Sequence, residues 1–446
     1  MTEQSQGSGV RHIEHPGASP QVLIIGTLDT KSVEIAAVSA EVEACGAQVV
    51  LLDTSGRAHP KLSSEELGCG RTTLGRDDVA HAAGTSSEAV ADLPRGEAVA
   101  ALRSGVRALT LGLQDSGRIQ AVLCIGGAGA YIAKDAFGAL PLGFPKLIVS
   151  PLASGKRVFE PYTGTRDVAT LHSVADIVGI NPITMKIFRM AAGYVVGAAK
   201  AAMSADDVRP RPAVAISMNG NTTDALIFAK DVLEDRGYSV VAFHANGVGG
   251  RALEEFAGSG EAVAVLDYTT TELNGHEIGG LMDAGAERMQ TAGAVGIPQV
   301  LVPGCLDFIT CGPAEEAQEQ FPGRPIFAHN PELTLVRLTQ DEMSQMGRTF
   351  AAKANSASGP VVVCVPTEGL SVSDAPGRVF WDPEADAAFV TALRGSLRPE
   401  IPLHLLPFHI NDPEFVDMVL EELLALLPAA RTAASRQPTP TPSPVS

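Results

Sequence analysis

Short apolar runs alternate with longer stretches in which apolar residues recur at helical spacing, and this alternation organises most of the chain. Val22–Ile25 leads into a helical pattern over Ser32–Ala44, which Gly46 closes. Gln48–Leu52, Ala121–Ile125 and Leu147–Val149 are further strand candidates, and Met185–Met203, rich in Ala, Gly, Met and Val, reads as a buried helix. The segment Asp206–Pro212 is charged and broken by Pro210 and Pro212, which marks a linker. Beyond it the pattern restarts with strand Ala213–Ser217, helix Thr223–Arg236, strand Ser239–Phe243, helix Arg251–Phe256 and strand Ala262–Leu266. Gln299–Val302, Pro325–Ala328, Val361–Val365 and Leu403–Leu406 are later strands, and Asp412–Leu427 is the closing helix. Apolar strands separated by helices predict parallel sheets with helical crossovers. The expected fold is α/β: two doubly wound, Rossmann-like domains with mostly parallel sheets, over 21–205 and 213–430. The polar arm 1–20 and the tail 431–446, ending PTPTPSPVS, bury too little apolar surface to order and are expected to be disordered.

Composition narrows the function classes. A chain of 446 residues exceeds one ordinary core, consistent with two domains. The formal net charge of −18 argues against a nucleic-acid partner, which requires a basic surface. No run reaches the roughly 18 apolar residues of a membrane span, and the N-terminus lacks the apolar core of a signal peptide, so a cytoplasmic protein is expected. The six cysteines are scattered without a Cys-x-x-Cys pair, which disfavours a disulfide framework or a zinc site.

Candidate chemistry collects where strands end, the place at which open α/β sheets bind ligands. Gly26-Thr27-Leu28-Asp29-Thr30-Lys31 follows a strand and precedes a helix. Its N–H groups and the Thr27 and Thr30 hydroxyls can hold an anion, or Asp29 or Thr30 simply caps the helix. Gly126-Gly127-Ala128-Gly129-Ala130-Tyr131 follows another strand, and its glycines permit close approach of backbone to phosphate or form a tight turn. Lys156, Arg157, Arg166, Asp167, His172, Asp176 and Asn181 gather in a polar stretch that can neutralise a phosphate or carboxylate, or is a solvated loop.

In the second half His244-Ala245-Asn246-Gly247-Val248-Gly249-Gly250, Asp267 through Glu272 (with Thr270), Cys305-Leu306-Asp307 and His329-Asn330-Pro331 each follow strands. The expectation is that His244, Asp267, Asp307 and His329 face one crevice shared between the domains and supply catalytic acid and base. Asn181, Asn246, Gly249, Gly250, Thr270, Glu272 and Asn330 are candidates for substrate binding. No metal ligand set is assigned.

These stretches, in this order, resemble the Tm-1-like ATP-binding family. The matching segments are IGTLDTK, ASGKRVFEPYTGTRDV, SVADIVGIN, FHANGVGGRALEE, LDYTTTEL, PGCLDF, FAHNPELTLVRLT and HINDPEF, spanning about Leu23 to Phe415. The resemblance implies two Rossmann-like subdomains split near residue 206, a homodimer, and a nucleotide in the first subdomain. ATP with Mg²⁺ is thereby expected on Thr27, Asp29, Thr30, Gly126, Gly127, Gly129, Lys156 and Arg166. The implied activity is ATP-dependent activation or phosphorylation of a small acid or carbonyl compound. A lyase or hydrolase of a small oxo-acid, or a nucleotide-binding interaction protein without turnover, are the alternatives. The chain departs from the family at its glycine loop, GGAGAY where GGSGGT is usual, and at Ser217–Thr223 (SMNGNTT for TMFGVTT). Glu368-Gly369 also stands where a basic residue commonly precedes the glycine. Ala128 and Tyr131 in the loop predict weaker ATP binding.

Overall fold

The computed structural model describes residues 19–55, 72–152, 163–204 and 211–427. The chain divides into two compact units, Met1–Asp207 and Val208–Ser446. Lys156, Arg157, most of the expected linker, most of the N-terminal arm and the tail lie outside the described residues.

The first unit holds six parallel strands: β1 (Gln21–Gly26), β2 (Gln48–Asp53), β3 (Thr72–Leu74), β4 (Ala121–Ile125), β5 (Lys146–Ser150) and β6 (Ala169–His172). Their order is β3-β2-β1-β4-β5-β6. That is the dinucleotide-fold order, in which the chain reverses direction across the sheet between β1 and β4. β1 is apolar from Val22 to Ile25 because both its faces are covered. Val22 and Ile24 pack with the helices Leu28–Ala44 and Pro182–Ser204, whereas Leu23 and Ile25 pack with Leu102, Val106 and Phe137 on the other side.

Pro182–Ser204 is not buried all round, as its apolar content suggests. Phe188, Ala191, Ala192, Val195, Val196 and Ala199 face the sheet at helical spacing, and Met190, Tyr194 and Met203 are exposed. Helix Leu28–Ala44 is interrupted at Lys31, whose backbone (φ −128°, ψ 23°) is not helical. A separate turn therefore precedes the regular helix, which begins near Ser32 as the apolar spacing predicts.

The second unit repeats the architecture with β7 (Ala213–Met218), β8 (Ser239–His244), β9 (Ala262–Thr269) and β10 (Gln299–Gly304). Beyond β10 the chain adds β11 (Phe308–Cys311), β12 (Ile326–Asn330) and β13 (Leu333–Arg337) before β14 (Val361–Pro366) and β15 (Leu403–Leu406) return to the main sheet. The main sheet is parallel, in the order β15-β14-β10-β9-β7-β8. Helices Thr223–Asp235 and Pro413–Leu426 cover one face, and Gln340–Asn355 and Pro383–Ser396 cover the other.

One expectation changes here. The strand expected at Pro325–Ala328 is β12, and it belongs to a separate antiparallel sheet, β11-β13-β12, inserted between β10 and β14. Among the described residues, no helix is long and apolar enough to cross a membrane.

Candidate functional site

In the first unit a cavity of about 410 Å³ opens at the carboxyl ends of β1 and β4, the point where the strand order reverses. That volume is within the usual range for small-molecule sites. One wall is polar: Thr27, Asp29, Thr30 and Lys31 after β1, Thr54 after β2, and Asp176. The floor is the turn after β4, with Gly126, Gly127 and Gly129, and the opposite wall is apolar, from Ala98, Val99, Leu102 and Ile132. A side chain built at Gly127 or Gly129 would meet no atom within 4 Å, so these glycines border open space.

Three polar features mark this wall. Thr54 is 4% exposed and its hydroxyl has no hydrogen-bond partner, although burying an unpaired hydroxyl is costly. Lys31 brings an ammonium group to the wall, donating to the Ile177 carbonyl at 2.5 Å and retaining further donor capacity. Thr27 and Thr30 share a 2.9 Å hydroxyl–hydroxyl contact at the rim. Thus Thr27, Asp29, Thr30, Gly126, Gly127 and Gly129 are brought together, as their positions after two strands suggest.

Lys31, Thr54 and the apolar wall carry no role in the sequence reading. Only the position of Lys31 at the end of the strand–turn motif hints at it. Arg166 does not line the cavity, and Lys156 lies outside the described residues. Tyr131 is not in the lining either. Its ring is packed beneath the guanidinium carbon of Arg103, 4.9 Å from the ring centroid, and Lys134 Nζ, 5.4 Å away.

Several other polar candidates serve the fold. Asn181 Oδ1 accepts from the N–H groups of Ile183 (2.9 Å) and Thr184 (3.0 Å) and caps helix Pro182–Ser204. Asn246 Oδ1 accepts from Gly249 N, Asn330 Oδ1 accepts from Glu332 N, and the buried Thr270 hydroxyl donates to the Val302 carbonyl.

In the second unit both carboxylates expected at the crevice have partners within the fold. Asp267 is buried and takes both terminal nitrogens of the fully buried Arg288, while Arg288 Nε donates to Glu272 at 2.7 Å and Nη1 reaches Glu254 at 3.4 Å. Burial opposes the charge on Arg288, but Asp267 and Glu272 hold it well above its ordinary pKa. Glu272 Oε1 in turn accepts from the N–H groups of Gly247 (2.5 Å) and Gly250 (2.9 Å). The glycine-rich turn does hold an anion at a helix start, but the anion is the chain's own. A side chain at Gly250 would overlap the Glu272 carboxylate, and one at Gly249 the His244 carbonyl.

Asp307 is fully buried, accepts from the Ser371 hydroxyl at 2.8 Å, and leaves its Oδ1 unpartnered. Burial and then Asp374 push its pKa up to about 7, and the same two causes raise Asp386 to about 8. His244 and His329 are exposed, at the ends of strands in different sheets: β8 at the edge of the parallel sheet and β12 at the edge of the antiparallel one.

The fold defines a two-domain, doubly wound α/β protein with a cavity at the reversal point of its first sheet. The chain belongs to the uncharacterised protein family UPF0261, whose N-terminal domain matches residues 20–204 and whose C-terminal domain matches 211–427. A UPF0261 protein of Clostridium tetani is 34% identical over 411 residues, covering 91% of this chain and 99% of that protein. One from Brucella suis is 34% identical over 404 residues, covering 90% and 94%. The tomato (Solanum lycopersicum) ToMV resistance protein Tm-1(GCR237) is 34% identical over 439 residues, covering 93% of this chain and 56% of that protein.

Proposed function

We propose that the first unit binds a nucleotide or small phosphorylated ligand in the β1/β4 cavity, with ATP and Mg²⁺ as the pair implied by the Tm-1 relationship. The observation that carries this reading is the cavity itself, placed at the reversal point between β1 and β4, floored by glycines that border open space and edged by the unpartnered Thr54 hydroxyl. The residues present suit the ligand. The Lys31 ammonium counters phosphate charge, the turn after β4 admits phosphate close to backbone, and the apolar wall of Ala98, Val99, Leu102 and Ile132 takes a planar base. Asp29 and Asp176 are the carboxylates available to Mg²⁺, which commonly takes one or two carboxylates and completes its shell with phosphate oxygens and water.

Bound there, ATP would supply a transferable phosphoryl group for activating or phosphorylating a small acid or carbonyl compound. Lys31 would hold its charge, and the glycine turn would fix its position. A second reading, nucleotide binding without turnover, is favoured by one feature: among the described residues the cavity lining has no histidine, and its one thiol, Cys124, is buried with its pKa pushed up to about 12.

Lys31→Met tests binding and Mg·ATP turnover tests chemistry. Loss of a charge-assisted contact from the half-buried Lys31 is expected to weaken Mg·ATP about tenfold. Unchanged affinity would remove Lys31 from the site, and binding without phosphate release or transfer would favour the second reading.

A further inference from the structure

A dinucleotide-binding unit with this strand order holds the pyrophosphate on N–H groups of the turn after β1 and hydrogen-bonds the ribose with an acid at the end of β2. This chain has an acid in that place, Asp53, but uses it differently. Asp53 Oδ1 accepts from Leu28 N (3.1 Å), Ser55 N (2.9 Å) and the Ser55 hydroxyl (2.5 Å). The Ser55 hydroxyl oxygen accepts from Asp29 N at 2.8 Å. The next two N–H groups, of Thr30 and Lys31, turn back to the Thr27 carbonyl at 3.4 and 2.9 Å. Four consecutive donors of the β1 turn are therefore spent inside the protein.

Asp53 and Ser55 are each 2% exposed. Thr54, between them, lines the cavity with a buried hydroxyl that has no partner. The end of β2 thus places a neutral residue with an unpaired hydroxyl beside the cavity, where a dinucleotide site has a carboxylate.

We propose that Asp53 and Ser55 close the β1 turn to ligand and that Thr54 is the ligand contact at the end of β2, so that the cavity takes a mononucleotide or smaller phosphorylated compound and excludes dinucleotides. This rests on the ligand reading above and narrows its class. Asp53 and Ser55 act as positioning residues, because they shape the site through the turn. Burial raises the Asp53 pKa, and the donors from Ser55 and Leu28 counter that rise, in keeping with a carboxylate retained for its bonds to the turn.

The test uses the full-length chain with Mg·ATP and NADH as probes, read by calorimetry, alongside hydrogen exchange of the Leu28 and Asp29 amides. Mg·ATP should bind and NADH should bind at least about tenfold more weakly. Thr54→Val should cost Mg·ATP about tenfold, as for loss of one buried hydrogen bond. Asp53→Ala should speed exchange at Leu28 about tenfold or more and raise NADH affinity relative to Mg·ATP. NADH binding the unaltered protein as tightly as Mg·ATP would overturn the proposal, as would an unaltered ratio in an Asp53→Ala protein whose Leu28 amide has been freed. If neither probe binds, the nucleotide reading fails by itself. The exchange arm then decides the closure of the turn: slow amides released by Asp53→Ala uphold it, and amides already fast in the unaltered protein refute it. Should Asp53→Ala not fold, Ser55→Ala frees Asp29 N alone and gives the same reading at that amide.

Discussion

Arg288→Met should cripple the second unit without touching the first-unit cavity. The guanidinium is fully buried and shared by three carboxylates, Asp267, Glu272 and Glu254, which are 1%, 0% and 8% exposed. Methionine fills much of the arginine's volume, so the change removes charge and donors more than packing. Breaking a buried pair by deleting one partner costs about 3–5 kcal/mol, and here three anions lose their common counter-charge. Against a typical stability of about 5–15 kcal/mol, that is a large share. With a urea slope of about 2–3 kcal/mol/M, the unfolding midpoint should fall by about 1–2.5 M.

The assay is convenient because the single tryptophan, Trp381, belongs to the second unit, so its fluorescence in urea follows that unit. Asp267→Asn in the Arg288→Met background should recover part of the loss, with a coupling of about 1–3 kcal/mol. An Arg288→Met midpoint within error of the parent, or a double variant weaker than Arg288→Met, would refute the charge-locked hub.

Three further outcomes follow from particular contacts. Asp307 and Asp386 have folded pKa values of about 7 and 8, above an unfolded value of about 3.9. Native protein therefore retains protons that the unfolded chain has lost, and this contribution to stability, complete below about pH 4, should fade as pH rises through 7 to 8. Asp386→Asn should flatten that part of a urea-midpoint-against-pH curve, and a parental slope in the variant would contradict the assignment. Gly250→Ala sets a methyl group against the Glu272 carboxylate and should cost about 1–3 kcal/mol in the Trp381 assay; a neutral result would mean the turn has room. Tyr131→Thr should change Mg·ATP affinity by less than about threefold, since the ring's contacts with Arg103 and Lys134, about 0.5–1 kcal/mol each, lie outside the cavity lining; a large gain would show that the ring obstructs the site.

The strands were legible where both faces are buried: Ala121–Ile125 coincides with β4, and Val361–Val365 covers all of β14 but its last residue, because an unbroken apolar run bounded by turn residues has few other solutions. The short edge strands β3 and β6 were not, since Thr72–Leu74 and the partly exposed Ala169–His172 lack such a run. The antiparallel insertion was missed because pairing direction is set by what lies opposite a strand, and Ile326–Asn330 alone does not reveal it.

At the candidate site, Thr27 and Gly127 could be brought together on paper because each follows a central strand. Thr54 and the wall from Val99 and Leu102 arrive from other parts of the chain, and no local pattern marks them. In the second unit Gly247 and Gly250 looked like a cradle for an external anion. Sequence shows that a turn can hold an anion, but not that Glu272, more than a helix away, already fills it.

The most direct test of the ligand cavity is a calorimetric titration of Mg·ATP into the full-length protein and its Gly129→Leu variant. Gly129 borders the cavity with no atom within 4 Å of an added Cβ, so the leucine side chain can enter the ligand's space without a first clash in the protein. The account predicts a Kd below 1 mM for the unaltered protein, a binding free energy more favourable than about −4 kcal/mol, and loss of that heat in a folded Gly129→Leu variant. No binding to the unaltered protein, or equal binding to both, would contradict it.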